Sequence, residues 1–459
     1  MNKQTVLIIL VTIACFTACN PDQNNVQQQK DIQLITVAPG HFHAALVQKS
    51  MYPEVDSVVH VYAPQGPELD AYLALINQYN THPENPTHWH EVVYQGDDFL
   101  EKMLEEKKGN VVVLAGNNQH KINYITQSID AGLNVLADKP MIINHDAFPK
   151  LEQAFAKASE KDVLLYDIMT ERYEINTMLQ KALSQIPEFF GELVVGSADN
   201  PAITKESVHH FFKEVSGKPL VRPTWFYDTK QQGEGLVDVT THLVDLVQWE
   251  SFPEQTIDYK NDIEIINARR WSTKLTPAQF EQSTGKGEIP PFLNESLDDD
   301  GNLAVFANGE INYTLKGIYA KVSVIWNFEA PKGTGDTHYS IMRGQHANLI
   351  IKQGEEEQYK PVLYVEATGE RDRDAFEGAL IKAIEQLAGT YKGLAFESAG
   401  DGRYRISVDP SLVTNHEEHF AEVTEKYLTF LQSGKMPDWE VPNMIAKYYL
   451  TTKALEEAK

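Results

Sequence analysis

Between residues 32 and 166, short apolar segments alternate along the chain with segments of helical character. This pattern predicts strands at 32–37, 57–62, 110–115, 135–137 and 163–166, and helices at 44–49, 98–107, 122–131 and 148–161. Because the strands are apolar at successive positions, both faces of their sheet should be covered. The alternation therefore predicts an α/β fold with a parallel, Rossmann-like sheet in a first domain at residues 31–168.

The segment 66–94 interrupts this alternation and contains His82, His88 and His90. It is longer than a typical loop. We expect it to cover the carboxyl edge of the sheet, where open α/β folds bind their ligands.

The pattern changes after about residue 170. Strands are predicted at 262–269, 309–315, 320–328, 340–342, 347–352 and 359–366, without regular crossover helices between them. We therefore expect an α+β second domain at 169–459 with an open, mostly antiparallel sheet, through which the chain could also form a homo-oligomer. Helices are predicted at 375–387, 417–431 and 442–458, and the last two are amphipathic, so that they could pack back on the first domain.

The first thirty residues have the character of a targeting segment. Lys3 precedes an apolar run at 6–16, which is too short to span a bilayer, and Thr17-Ala18-Cys19 follows. This arrangement resembles a bacterial lipoprotein signal at 1–19, with Cys19 as the lipidated residue; an ordinary signal peptide with an incidental cysteine is the alternative. Residues 20–30, rich in Asn and Gln, predict a flexible tether. We expect an exported protein that contacts a membrane only through this anchor, on the periplasmic or the cell-surface side.

The charge of the chain excludes one class of partner. Lys and Arg number 40 against 65 Asp and Glu, which gives a formal net charge of -25. Because binding to phosphate backbones needs clustered basic side chains, we expect no nucleic-acid partner.

Two separated segments carry residues suited to proton and hydride chemistry on an alcohol. Lys139 follows a predicted strand end, where its ammonium could hydrogen-bond a reacting oxygen. Asp238 and His242 are four residues apart, so on a helix they would share one face. The imidazole could then accept a hydroxyl proton while the carboxylate orients it.

Each segment also has a simpler interpretation. Asp-Lys-Pro is commonly a turn at a strand end, and Asp-x-x-x-His is often a helix cap followed by a surface histidine. An Asp–His pair at this spacing could also bind a metal. Since both segments occur together and in order, we favour the catalytic interpretation and predict no metal.

These segments resemble the Gfo/Idh/MocA oxidoreductases, the glucose–fructose oxidoreductase and inositol dehydrogenase family, over most of residues 32–250. The strand-rich second half is similar to a variant C-terminal domain of exported Bacteroidetes proteins. The residues that carry the resemblance are Asn118, Asp138 (where the family has Glu), Lys139, Pro140, Arg172, Tyr173, Trp225, Gly233, Gly235, Asp238, His242 and Asp245.

The resemblance implies an enzyme that uses NAD or NADP and acts on a carbohydrate or polyol. It implies Lys139, Asp238 and His242 as the catalytic residues, and a cis peptide at Lys139-Pro140. The implied cofactor-binding residues are Gly40, His41, Phe42, His43, Asn118, Asp138, Lys139 and Pro140. The implied substrate residues are Arg172, Trp225 and Asp245. We add His209 and His210, which could equally belong to a half-buried strand or loop edge.

The expected glycine-rich loop is altered. Of the family's Gly-x-Gly-x-x-Gly pattern only Gly40 remains, His43 stands at the third glycine, and Pro39 lacks a backbone donor. No acidic residue stands near Ala63 to bind ribose hydroxyls. A cofactor would need other contacts, such as His41 on a phosphate, or the site has been remade for another ligand.

Three hypotheses follow. The first is a hydride-transferring oxidoreductase whose cofactor, scarce outside the cytoplasm, is held tightly and recycled in place. The second is an NAD-assisted glycoside-cleaving enzyme or a cofactor-free lyase. The third is an exported sugar-binding lipoprotein on a retired enzyme scaffold.

Overall fold

The computed structural model describes residues 31–215, 218–369 and 372–459. The predicted signal at 1–19, its lipidated Cys19 and the tether at 20–30 lie outside the described residues. No described helix is both long and apolar enough to cross a membrane.

The first domain contains a six-stranded sheet in which every neighbouring pair is parallel, as predicted. Its strands are β1 (Leu34–Val37), β2 (Val58–Ala63), β3 (His90–Gln95), β4 (Val111–Leu114), β5 (Asn134–Asp138) and β6 (Leu165–Ile168), and its helices are α1 (His43–Leu46), α2 (Pro67–Asn80), α3 (Phe99–Glu106), α4 (Lys121–Asp130) and α5 (Phe148–Glu160). The strand order is β3-β2-β1-β4-β5-β6, so the order of the chain reverses between β1 and β4. Ligands bind at such a reversal, outside the carboxyl ends of the strands.

The expectation that segment 66–94 covers the carboxyl edge is wrong. The segment forms α2 and leads into β3, which extends the sheet beyond β2. Its helix buries Leu69, Tyr72, Ile76 and Tyr79, which recur at helical spacing. This apolar periodicity, rather than the three histidines, determines where the segment lies.

The second domain contains an open nine-stranded sheet, also as predicted. Its strands are β7 (Ile203–Phe212), β10 (Ile263–Leu275), β11 (Leu303–Leu315), β12 (Ile318–Glu329), β13 (Thr337–Arg343), β14 (Ala347–Lys352), β15 (Val362–Ala367), β16 (Ala395–Gly400) and β17 (Arg403–Ser407). Their order is β10-β11-β12-β7-β13-β14-β15-β17-β16, and the neighbouring pairs are antiparallel except β12 with β7. The short strands β8 (Glu214–Val215) and β9 (Lys218–Pro219) pair separately.

Helices cover this second sheet and return to the first domain. They are α6 (Ile175–Ser184), α7 (Pro187–Phe190), α8 (Thr240–Ser251), α9 (Pro277–Thr284), α10 (Arg373–Leu387), α11 (His416–Ser433) and α12 (Glu440–Glu457), with 3₁₀ turns at His145–Ala147, Thr170–Tyr173, Thr224–Tyr227, Pro291–Ser296 and Pro410–Leu412.

The helix α11 completes the core of the first domain, as its amphipathic pattern predicts. A capping box between Asn415 and Glu418 fixes its start. Phe420 and Tyr427 join the apolar core around β1–β6, and the ring of Tyr427 stacks on Tyr166 with centroids 5.8 Å apart. A helix that follows the second sheet in the chain therefore contributes to the core of the first domain.

Candidate active site

The loops that follow β1 and β4 meet closely at the point where the strand order reverses. A Cβ atom on Gly116 would lie 2.4 Å from the carbonyl oxygen of Ala38, so a larger residue would push these loops apart. The loop after β1 also approaches the second domain, since a Cβ on Gly40 would lie 3.5 Å from the Trp225 ring. The first-domain loops therefore lie close to the segment around Trp225, and we call the region where they face each other the cleft.

Lys139 and Asp238 meet across this cleft. The Lys139 Nζ atom donates to Asp238 Oδ1 at 2.6 Å, and the two side chains are 11% and 9% exposed. The peptide between Lys139 and Pro140 is cis, as the resemblance implies. Gln232 Nε2 donates to the second carboxylate oxygen of Asp238 at 3.1 Å. The structure thus brings together two of the three predicted catalytic residues.

The turn that carries Asp238 depends on Gly235. A Cβ at this position would lie only 1.9 Å from the carbonyl oxygen of Ala307 on β11. The Gly235 amide donates to the carbonyl of Phe306 at 3.1 Å. This close approach fixes the turn against the second sheet and sets the position of the Asp238 carboxylate.

The expectation that Asp238 orients His242 is not met. The helix α8 begins at Thr240, so Asp238 precedes the helix instead of sharing a face with His242. Its carboxylate pairs with Lys139, and His242 Nδ1 is buried without a hydrogen-bond partner in the described structure. Burial and the nearby charge of Lys139 hold the pKa of His242 well below its usual range. The imidazole is therefore uncharged at neutral pH.

Asn118 contacts the second domain at the same cleft. Its Nδ2 atom donates to the Gln232 carbonyl at 2.7 Å, and its backbone amide donates to the Gln231 carbonyl at 3.0 Å. Its Oδ1 atom is buried and has no hydrogen-bond partner among the described residues. Sequence reasoning missed Gln231 and Gln232, although they lie within the matched segment between Trp225 and Gly233.

Three predicted cofactor residues form a compact cluster beside Lys139. His43 Nδ1 lies 2.9 Å from Asp138 Oδ2, and His41 Nδ1 lies 3.9 Å from the same oxygen. Burial is the main cause that lowers the pKa of both imidazoles well below the usual value, and each is lowered further by a neighbouring histidine. Lys121, which sequence reasoning also missed, donates from Nζ to the Asp138 carbonyl at 2.7 Å, and burial lowers its pKa to about 8.

The loop after β1 has few free donors for a phosphate. The amides of Gly40 and His41 both donate to the Ala115 carbonyl, at 3.1 and 3.2 Å, and the Ala38 amide donates to the Tyr62 carbonyl at 2.9 Å. The helix that follows is only four residues long. Phe42 contacts both histidines of the loop through its ring. In dinucleotide sites, backbone amides at a helix N-terminus hold the phosphates. Here most amides of the loop already donate to protein carbonyls.

Arg172 and Asp245 do not face the cleft as substrate residues; they pair with each other in a buried charge cluster. Arg172 donates from Nε and Nη2 to the two Asp245 oxygens at 2.6 and 2.7 Å, and its Nη1 lies 3.1 Å from Glu440. Lys447 Nζ lies 2.8 Å from both Asp245 and Asp167. The polar atoms of Arg172 and Asp245 are thus paired within the protein, and their contacts join the 3₁₀ turn after β6 to α8 and α12.

His209 and His210 lie on β7, where both engage Asp336. The Nδ1 atoms of His209 and His210 lie 3.0 and 3.3 Å from the Asp336 carboxylate, which also pairs with Lys213. His209 stacks on Trp326 with ring centroids 5.1 Å apart. The pair thus lies on an inner strand of the second sheet, between β12 and β13. Asp336 is more than a hundred residues away and could not be foreseen from the local sequence.

Comparisons with known proteins agree with this architecture. Residues 179–459 match the family model of the Putative oxidoreductase C terminal domain. The chain is 55% identical to a putative oxidoreductase from Parabacteroides merdae ATCC 43184, with a TM-score of 0.91 over 94% of this chain and 98% of that one. No curated protein sequence matches the chain.

More distant crystal structures share the fold alone. KijD10, a 3-ketoreductase from Actinomadura kijaniata in complex with NADP and TDP-benzene, is 13% identical with a TM-score of 0.55, over 93% of this chain and 97% of that one. Levoglucosan dehydrogenase in complex with NADH is 12% identical with a TM-score of 0.57, over 93% and 98%. Because the family model covers more than half of the chain, the protein belongs to the family that carries the putative oxidoreductase C terminal domain.

Proposed function

We propose that the protein is an oxidoreductase that transfers a hydride between a carbohydrate or polyol and a bound nicotinamide cofactor, NAD or NADP. The observation that carries this proposal is the contact of 2.6 Å between Lys139 Nζ and Asp238 Oδ1, which positions an ammonium group in the cleft between the domains. The nicotinamide complexes of KijD10 and levoglucosan dehydrogenase, which share the fold, support it.

The cleft fits one end of such a cofactor better than the other. At the nicotinamide end, Asn118 Oδ1 and His242 Nδ1 are buried polar atoms that lack partners among the described residues. Asn118 and Lys139 would hold this end. At the phosphate end the glycine-loop mode does not fit, because the loop amides donate to protein carbonyls. Side chains, His41 among them, would have to hold the phosphates.

The residues of the chain supply the proton chemistry. A bound nicotinamide would supply the acceptor or donor of the hydride. The neutral imidazole of His242 accepts the hydroxyl proton of the substrate. The Lys139 ammonium donates a hydrogen bond to the oxygen whose charge changes, and Asp238 holds that ammonium in place. Gln232 fixes the Asp238 carboxylate from the other side.

A second candidate is a lyase that needs no dinucleotide, and the committed donors of the loop after β1 favour it. In this case the same Lys139 and His242 would remove and return protons without a hydride step. NAD-assisted cleavage of a glycoside combines both kinds of chemistry. A sugar-binding protein on a retired scaffold would keep the cleft and show no turnover.

The content of nicotinamide cofactor separates these candidates. We expect the purified chain, once denatured, to release NAD or NADP in a nearly equal molar amount, detected by mass spectrometry. Absence of released cofactor, together with no binding of added NAD or NADP by calorimetry, would overturn the redox proposal. The lyase or binding protein would then remain.

Turnover of the variants tests the assigned residues. With a panel of sugars and polyols, Lys139→Ala should lower kcat by roughly 10²–10⁴-fold, the usual range for a lost acid–base group. Lys102→Ala, on the surface of α3, is the matched control and should leave kcat unchanged. Equal turnover in Lys139→Ala and the native chain would refute the role of Lys139.

We also propose that the chain is exported and anchored by a lipid at Cys19. The support is the apolar run at 6–16 followed by Thr17-Ala18-Cys19.

A further inference from the structure

His41, His43 and Asp138 form a cluster with the chemistry of a metal site. The two histidines lie on the loop after β1 and the start of α1, and Asp138 ends β5. Each residue offers one ligand atom, and the three atoms lie within 4.8 Å of one another. The three side chains come from segments about a hundred residues apart, so the fold itself assembles the group at the ligand-binding edge of the sheet.

The distances suit a small tetrahedral ion. A tetrahedral ion with bonds of about 2.0–2.1 Å holds its ligand atoms about 3.3 Å apart. The observed separations from Asp138 Oδ2 are 2.9 Å to His43 Nδ1 and 3.9 Å to His41 Nδ1, which lie on either side of that value. To reach that value, His41 Nδ1 would approach Asp138 Oδ2 by about half an ångström and His43 Nδ1 would withdraw from it by a similar distance.

The donor set is that of a catalytic rather than a structural metal site. Two imidazoles and one carboxylate are ligands that Zn²⁺ binds readily, and catalytic zinc sites keep three protein ligands and one open position. The side chains of His43 and Asp138 are 11% and 7% exposed, and that of His41 is 19% exposed. The cluster is thus shielded on one side and reachable through His41 on the other.

Two neighbouring ammonium groups hydrogen-bond to acceptors other than the Asp138 carboxylate. Lys139 Nζ, the cation next in sequence to the cluster, is paired with Asp238. Lys121 Nζ donates to the backbone carbonyl of Asp138, which leaves the carboxylate to the histidines. Among the described residues, the Asp138 carboxylate therefore has only the imidazoles of His41 and His43 as ion-pair partners.

We propose that His41, His43 and Asp138 bind a divalent transition-metal ion of the Zn²⁺ class. The fourth coordination position is left for water or for an oxygen of the substrate in the cleft that contains Lys139. The site lies in the loop after β1, where dinucleotide-binding folds carry a glycine-rich phosphate loop, and His41 and His43 occupy two positions of that loop. The inference goes beyond the proposed hydride transfer and does not depend on it.

Binding of Co²⁺ and Zn²⁺ to the whole chain tests the site. After removal of metals with a chelator, the native protein should bind about one Co²⁺ per chain with the visible absorption of tetrahedral cobalt, and Zn²⁺ should displace it. Metal analysis of the untreated protein should show about one transition-metal ion per chain. Zn²⁺ should also raise the Tm of the native protein, because it binds the folded state.

Variants identify the ligands. His43→Ala and Asp138→Asn should lose the absorption and the Tm shift, whereas His88→Ala, which removes an exposed imidazole of the same domain, should keep both. If His43→Ala does not give a native circular dichroism spectrum, His41→Ala, at the more exposed ligand, serves instead. The proposal would be overturned if the native chain did not bind about one Co²⁺ per chain, or if the folded ligand variants bound it as the native chain does. His43 and Asp138 would then be only a hydrogen-bonded pair.

These readouts are separate from the release of nicotinamide cofactor. A chain that binds Co²⁺ but holds no NAD or NADP would retain the metal site and lose the redox proposal. A chain that holds the cofactor but binds no metal would retain the redox proposal and lose the metal site.

Discussion

Replacing Lys447 with methionine should destabilise the protein strongly, because this ammonium lies between two buried carboxylates. Its Nζ atom lies 2.8 Å from Asp167 Oδ2 and 2.8 Å from Asp245 Oδ1. The side chains of Lys447, Asp167 and Asp245 are 0%, 1% and 3% exposed. Methionine has a similar volume, so the substitution removes the charge and creates almost no cavity.

The magnitude follows from what remains after the substitution. Arg172 would still contact Asp245 and Glu440, so the cluster would keep one guanidinium for these two carboxylates. Asp167 would keep the Tyr448 hydroxyl at 2.9 Å as its donor. Removing one partner of a buried ion pair costs about 3–5 kcal/mol, and we expect a loss in that range. A loss of about 3 kcal/mol corresponds to a change of more than about a hundredfold in the unfolding equilibrium.

Urea unfolding measures this loss, with tryptophan fluorescence and far-UV circular dichroism as two probes that should give coincident transitions. The matched control is Lys453→Met on the same helix, where the partner Glu456 is exposed, and we expect no measurable change. If Lys447→Met unfolds within about 1 kcal/mol of the native protein, the reasoning about the buried cluster is refuted.

The loss should also depend on pH in a defined direction. Although burial raises it, the charges of Arg172 and Lys447 hold the pKa of Asp245 well below its usual range. A carboxyl group with a lowered folded pKa contributes stability above its unfolded value of about 3.9, and that contribution disappears as pH falls through the folded value. The difference in unfolding free energy between the native protein and the Lys447→Met variant should therefore be constant from about pH 5 to 8 and narrow below about pH 4. A difference that stays constant in acid would contradict this account.

Two further predictions concern α11 and Cys19. Phe420→Ala should lower the free energy of unfolding by about 3–5 kcal/mol, because the ring is 1% exposed in the core of the first domain. The control in the same urea titration is Val413→Ala, at a side chain that is 59% exposed. Cys19→Ser should abolish incorporation of labelled palmitate and release the protein from the membrane fraction, and membrane retention without the label would contradict lipidation at Cys19.

The sheets could be predicted because their signals are local. Continuous apolar runs such as 110–115 specify a strand covered on both faces, and β4 occupies Val111–Leu114. The position expected for segment 66–94 is wrong, although the residues that its helix buries recur at helical spacing. This apolar periodicity is visible in the sequence, and it is a better guide to the position of the segment than its histidine content.

The site could be predicted less completely, because its pairings join distant residues. The sequence could place Lys139 and Asp238 in one cleft. It could not show that Asp238 pairs with Lys139 rather than with His242, because that choice depends on α8 beginning at Thr240, only two residues after Asp238. Helix boundaries are uncertain by more than that from sequence. The partners Glu440 and Lys447 follow Asp245 by about two hundred residues, so no local pattern could reveal that Arg172 and Asp245 are engaged within the protein.

The position of α11 has a consequence for the order in which the protein acquires its structure. The core around β1–β6 includes Phe420 and Tyr427, which are synthesised long after β6. Domains often fold as their residues leave the ribosome. In this chain the first sheet remains without part of its cover until α11 emerges, so its folding waits for nearly the whole polypeptide. Such a delay keeps the chain unfolded for longer, which is the state that the proposed export through a narrow translocation channel would require.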